Sequence, residues 1–284
     1  MFHSELFTVS DTSSGANTFV QAVAFTPDNV LPVQGNGFTV LSDIPYFCHM
    51  IGIGAHIVHT RAQAVSMLPY PYMTVSPNNR GSAAESPVRL LDLSMTPMPL
   101  RVTEEFDVFV TQNSGGTETE YVLVNWCDGP PAPLTFQLMP GGVPTGVPQV
   151  GRAFSVHWTA STTLTAAGWS QVAPVFDQTL PAGSYALIGM RAYSATALFA
   201  RMFPLMLSNR RPGGVGVRAY DSMDPWFQRA WPITGGKVVA PMGVWMSFYQ
   251  NVPPNVEFFA TSADTAEEGW FDLVYLGPQT IPGA

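Results

Sequence analysis

Charge is what this chain has least of. Only 11% of its 284 residues are Asp, Glu, Lys or Arg, against roughly 25% in an average soluble protein. A surface so poor in charge resists association weakly and suits large contacts between subunits. Lysine is almost missing, since 11 Arg stand beside the single Lys237. Guanidinium is less strongly hydrated than ammonium and pairs bidentately, which again suits subunit contacts. No basic arm or Lys/Arg cluster occurs and the net charge is −8. That argues against sequence-specific nucleic acid binding and against extensive packing on a genome. The one basic pair, Arg210-Arg211 in NRRPGG, reads as a solvated loop.

Cysteine is nearly as scarce. Cys48 and Cys127 cannot build a disulfide framework and are expected to be unpaired, small buried hydrophobes. The chain shows no signal-peptide pattern, no Asn-x-Ser/Thr acceptor and no apolar run of about 18 residues. Synthesis in a reducing host cytoplasm is the expectation.

Helical spacing is scarce too, whereas turn formers are plentiful, with 25 Gly and 26 Pro spread along the chain. Short runs rich in Val, Phe, Tyr, Trp and Thr lie between them. These are Thr18–Phe25, Phe38–Leu41, Ile51–Val58, Phe106–Thr111, Tyr121–Asn125, Ala153–Thr159, Tyr185–Tyr193, Val244–Tyr249, Val256–Thr261 and Trp270–Leu276. Short strands at regular spacing predict an all-β sandwich or barrel. Thr60–Met67 and Thr196–Met202 fit a short helix or a strand equally.

Two stretches repeat each other. Ile53–Pro69 (IGAHIVHTRAQAVSMLP) aligns without a gap to Ile188–Pro204 (IGMRAYSATALFARMFP), with five of 17 positions identical. Phe109–Val124 (FVTQNSGGTETEYVLV) likewise aligns to Phe259–Val274 (FATSADTAEEGWFDLV), again with five identities. The offsets are 135 and 150, so one insertion of 15 residues separates the two matches. A period of this length is too long for a solenoid and reads as a duplicated domain. Residues 1–16 then form an N-terminal segment, 17–127 a first unit, 128–151 a Pro/Gly-rich linker and 152–284 a second unit with an insertion at 205–240. Each unit has the size of an eight-stranded jelly roll, in which two four-stranded antiparallel sheets pack face to face. The linker composition predicts a semi-extended strap without a regular element.

Catalytic constellations are absent from the sequence. His56 and His59 are three apart, so in a strand they point to opposite faces and cannot jointly ligate a metal. No nucleophile elbow, phosphate loop, zinc-protease motif or dinucleotide fingerprint occurs in context. Glu104-Glu105 and Glu267-Glu268 read as solvent-exposed neighbours and not as a glycosidase pair. The tryptophans of the second unit read as core residues ahead of a sugar-binding face. No catalytic residue, metal site or cofactor is expected. The insertion carries MDPWFQRAWP, and Trp226, Phe227, Arg229 and Trp231 are the candidate subunit-interface residues, because clustered aromatics are seldom left in water. Changing both tryptophans to Ser is expected to weaken assembly more than folding.

Two tandem jelly rolls, a strap and a charge-poor surface together resemble the double-jelly-roll major capsid proteins of tailless icosahedral viruses and bacteriophages. The resemblance covers nearly the whole chain and rests on architecture and internal duplication. It implies a homotrimer whose six barrels give a nearly hexagonal outline, tiling an icosahedral shell in a virion. The implied partners are neighbouring capsomers, minor or vertex capsid proteins and an internal membrane. It also implies upright sandwiches, outward towers from Leu205–Ala240, and an N-terminal segment Met1–Ser14 lying toward the membrane or interior. Two other readings remain: a two-jelly-roll amidase or hydrolase acting on glycans, and a lectin-like receptor-binding virion module.

Overall fold

The computed structural model describes residues 2–12, 18–53, 57–75, 88–93, 96–112, 116–130, 134–138, 150–205, 209–217, 231–233, 237–240 and 244–278. All regular elements among them are strands. The first half contains β1 (Phe2–Thr12), β2 (Val20–Gln21), β3 (Val23–Ala24), β4 (Val33–Gln34), β5 (Gly37–Thr39) and β6 (Tyr46–Ile53). It continues with β7 (Ile57–Gln63), β8 (Tyr72–Val75), β9 (Val88–Asp92), β10 (Met98–Pro99), β11 (Glu105–Gln112) and β12 (Thr117–Cys127). The second half contains β13 (Leu134–Leu138), β14 (Arg152–Ala160), β15 (Gly168–Val172), β16 (Val175–Phe176), β17 (Ser184–Tyr193) and β18 (Ala197–Phe203). After these come β19 (Val215–Gly216), β20 (Trp231–Ile233), β21 (Lys237–Ala240), β22 (Met246–Tyr249), β23 (Asn255–Ala260) and β24 (Glu267–Gly277). Of the two ambiguous stretches, Thr60–Met67 gives the end of β7 and a turn after Gln63, and Thr196–Met202 falls on β18.

The strands form four sheets. In the first half one sheet runs β10-β6-β12-β1-β3 and the other β4-β5-β11-β7-β8, with β9 and β2 attached at β6 and β11. In the second half the orders are β14-β24-β17-β22 within an eight-stranded sheet, and β15-β23-β18-β19. Every pairing is antiparallel except β13 with β14. One core holds Phe7, Phe38, Phe47, Phe106, Val108 and Trp126. The other holds Trp158, Tyr185, Leu187, Phe258, Phe271 and Leu273.

The repeated stretches fall on β6–β7 and β17–β18, and on β11–β12 and β23–β24. Their gapless alignment does not survive in the register. Val108 and Val110 share the first core as Phe258 and Ala260 share the second, which keeps β11 and β23 in step. One strand later Leu123 leaves the first core, although its aligned partner Leu273 lies in the second. Ala62 stands opposite Val108, while the residue opposite Phe258 is Ala200 and not Ala197. Side chains alternate with a period of two, so a slip of one or three residues exchanges faces, and a bulge absorbs it. Such a shift occurs between Ala197 and Phe199.

Two expectations change at the ends of the units. Residues 1–16, set apart from the first unit in the sequence reading, contain β1, which pairs with β12 from Phe2↔Cys127 to Thr12↔Thr117. Polar residues, His3, Ser4 and Glu5 first among them, interrupt the apolar ones there and hide the strand pattern. The strap contains a regular element after all, because Leu134–Leu138 pairs with β14 and β21. Its five residues LTFQL are free of the Pro and Gly around them. Cys48 and Cys127 are buried and free.

The acid pairs are not simply solvated. Glu104 accepts hydrogen bonds from the Ser66 and Arg101 amides, at 2.9 and 2.7 Å, and pins a turn. Glu267 is only 2% exposed. Burial, and then the Asp264 charge, push its carboxyl up to about 7. The folded chain therefore retains this proton while the unfolded chain, with an ordinary carboxyl near 4.3, has released it. Stability from this group is present below the unfolded pKa and declines as pH rises toward about 7. Glu267→Gln should raise the urea midpoint at pH 8 relative to the parent and leave it nearly unchanged at pH 4. Equal shifts at both pH values would refute this assignment.

Candidate functional site

The two halves meet along a seam built on β1. Phe2 on this strand enters the second core, while Phe7 and Val9 enter the first. Leu6 lies between them, in a cluster that joins Leu6, Ile51 and Leu123 of the first half to Trp169, Phe199 and Phe259 of the second. Phe25 meets Phe259 edge-on, with ring centroids 5.2 Å apart. The contact thus joins the β6-β12-β1 sheet of one half to the β15-β23-β18 sheet of the other.

A buried polar network closes one side of this apolar strip. Arg201 is fully buried, 3.9 Å above the Trp169 ring. Its Nε donates to Glu257 at 2.7 Å, and its Nη1 to Glu5 at 3.2 Å and to the Ser4 carbonyl at 3.1 Å. Nη2 donates to the Asp28 carbonyl at 2.8 Å. Arg211 Nε donates to the same Glu257 oxygen at 2.9 Å. Two guanidinium groups therefore face two carboxylates, a balance that offsets the cost of burying them. His3 accepts the Arg211 amide proton at Nδ1, 3.1 Å away. Burial pushes its pKa down, against the Glu5 charge, so the neutral ring donates through Nε2 to Glu5 at 2.7 Å. Burial works to raise the Glu5 carboxyl, but His3, Arg201 and the Leu31 amide together hold it below the usual range.

The NRRPGG run is part of this seam, contrary to its expected place in solvent. Arg210 and Arg211 are 5% and 7% exposed. Ser4 donates its amide to the Arg211 carbonyl at 2.9 Å, and Gly214 donates to Ser4 Oγ at 2.8 Å. A Cβ on Gly214 would stand 2.6 Å from Ser4 Oγ and 2.7 Å from Leu123, so only glycine permits this approach. Arg210 pairs with Asp43. The basic pair was the visible signal, but which carboxylates would meet it was not.

The outer face of β14, β24 and β17 carries a second polar group. His157, Trp270 and Arg191 form one row across the three strands, and Ser155, Asp272 and Gly189 the next. Ser155, His157, Asp177, Gln178, Arg191 and Trp270 line a cleft of about 360 Å³. Arg191 Nη2 donates to Asp272 at 2.9 Å and to Ser155 Oγ at 2.8 Å. Burial pushes the Asp272 carboxyl up, against the pull of Arg191 and Ser155. His157 Nδ1 lies 2.5 Å from Asp177, and Nε2 lies 3.2 Å from Glu268. Both ring nitrogens thus face carboxylates, and the Ser155 hydroxyl donates to Asp272. Neither nitrogen is placed to take a proton from Ser155, so this is not a nucleophile–base pair. Among the described residues no three His, Cys, Asp or Glu side chains are grouped to hold a metal ion.

The interface residues expected from sequence are Trp226, Phe227, Arg229 and Trp231. The first three lie outside the described residues, and Trp231 opens β20, where it pairs with Val239. Of the other tryptophans, Trp158, Trp169 and Trp245 are buried and Trp270 lines the cleft.

No family profile matches the chain, and no curated protein does. Among solved structures it is similar to the crystal structure of the major capsid protein P2 from Bacteriophage PM2. That similarity has 8% identity and a TM-score of 0.23, over 93% of this chain and 99% of that one.

Proposed function

We propose that the chain is the shell-forming subunit of a virion, a major capsid protein built from two tandem jelly rolls. The observation that carries this reading is the correspondence of strand orders. The sequence β10-β6-β12-β1 answers β22-β17-β24-β14, and β5-β11-β7-β8 answers β15-β23-β18-β19. In each half the two orders describe a pair of four-stranded antiparallel sheets enclosing one core, which supports a jelly-roll reading. The units are 17–127 with β1 added to the first, and 152–284, joined by 128–151.

The seam supports a structural role. A relay such as Arg201 with Glu5 and Glu257 fixes the angle between the halves, as a subunit repeated many times in one shell requires. Scarce charge supports broad contacts with other copies. Three chains would place six sandwiches around a threefold axis with a near-hexagonal outline, and such trimers would tile an icosahedral shell with neighbouring capsomers. The cleft's geometry does not favour the hydrolase alternative, because its histidine is occupied on both sides.

Sedimentation at micromolar concentration in physiological salt should give a trimer of the 30.7 kDa chain, with total buried interface on the order of 2,000–5,000 Å². Negative-stain images should show flat hexagonal particles. A monodisperse monomer that releases sugars or amines from glycan substrates would refute the reading.

A further inference from the structure

We propose that the polar cleft on β14-β24-β17 is a docking site for a second copy of this chain, and that the copy's Arg61 enters it between Asp177 and Glu268. This inference rests on the shell-subunit reading and names the faces that join its copies. Within one chain the seam unites two unlike faces, the β6-β12-β1 sheet of the first half and the β15-β23-β18 sheet of the second. Each half has one sheet of each kind. Two faces therefore stay uncovered by the seam: β14-β24-β17 on the second half and β2-β11-β7-β8 on the first. A contact between unlike faces is head-to-tail and closes into a ring when its rotation permits.

The chemistry of the two uncovered faces is complementary. In the cleft Arg191 is already matched by Asp272. Asp177 in the cleft and Glu268 at its rim, 3.2 Å from His157, remain, with side chains 52% and 41% exposed. The opposite face presents Arg61. Its guanidinium lies 3.7 Å from the Phe19 ring and 4.4 Å from the Tyr72 ring, and Nε donates to Thr74 at 3.3 Å. Arg61 makes no ion pair among the described residues. The seam already contains such an arrangement, in which Arg201 rests on Trp169 and crosses to Glu5 of the other half. Arg61 lies on the corresponding strand, β7, with the aromatic support in place and the carboxylate missing.

Apolar exposure points the same way. Val65, Leu68, Tyr70 and Tyr72, in and around the hairpin beside Arg61, are 76%, 81%, 66% and 43% exposed. Val175, on the short strand β16 that Asp177 directly follows, is 65% exposed. Apolar exposure concentrated along one hairpin, with the Tyr70 and Tyr72 rings stacked at 6.2 Å, marks an interaction surface, and the Asp177 and Glu268 carboxylates would set its register.

The test uses the full chain in three forms: parent, Arg61→Glu, and Arg61→Glu combined with Asp177→Lys and Glu268→Lys. Sedimentation gives the assembly constant, and circular dichroism with thermal melting checks each fold. Arg61→Glu should weaken assembly by at least about 30-fold with its melting unchanged, and the triple variant should recover most of that loss. If Arg61→Glu proves unstable, Asp177→Lys with Glu268→Lys must alone produce the same loss. A normal trimer from either charge-reversed chain overturns the docking assignment and leaves the shell-subunit reading standing. A parent chain that stays monomeric overturns both.

Discussion

Deletion of residues 2–12 is expected to abolish folding, not merely assembly. An N-terminal arm lying against a membrane or shell interior could be removed with the barrels intact. β1 instead lies between β12 and β3 within a sheet, and it pairs with β12 along its whole length. Its Phe2, Leu6, Phe7 and Val9 side chains are no more than 4% exposed. At about 1.5–3 kcal/mol for each buried side chain, their loss is comparable with the whole net stability of a domain, about 5–15 kcal/mol. The truncated chain should be insoluble on expression, or should lose its near-ultraviolet circular dichroism and its cooperative melt. A soluble truncation that melts like the parent would show that β1 is an accessory strand.

Arg201→Ala is expected to cost about 3–5 kcal/mol, the usual penalty for removing one partner from a buried charge group. The substitution leaves Glu5 and Glu257 with Arg211 and His3 as compensation, inside a seam where both carboxylates are nearly inaccessible. It also strips a cation from the face of Trp169. Urea unfolding should show the loss. The transition should also broaden or split, because the halves would then unfold less cooperatively. A change below about 1 kcal/mol would mean that the network is no more than surface-like in its worth. Comparing Arg201→Ala with Glu5→Gln and with the pair of substitutions would isolate their coupling.

Much of the fold was legible in the residues. The apolar runs between Gly and Pro marked β11, β14, β17 and β23 closely. β1 was missed because His3, Ser4 and Glu5 break its apolar alternation, and all three are buried for reasons of partnership and not hydrophobicity. The element within the strap was missed because the Pro and Gly around Leu134–Leu138 dominated the composition. The gapless alignments erred in register, since a bulge changes which face a residue takes without changing its strand.

The seam was the least legible part. Arg201 and Glu5 are separated by 196 positions, and no local pattern reports that a guanidinium will find its carboxylate at such a distance. The NRRPGG run has every local mark of a solvated turn, yet Arg211 and Gly214 are held against β1 by the Ser4 amide and the Ser4 hydroxyl of the other half. By itself the sequence determined an all-β chain, poor in charge and internally repetitive, because propensity, turn chemistry and composition act locally. Only the tertiary structure decided which faces meet, which arginines are buried and where a carboxylate cleft lies open. Those outcomes depend on sheet register and on contacts between residues far apart in the chain, where one slipped residue exchanges a buried side chain for an exposed one.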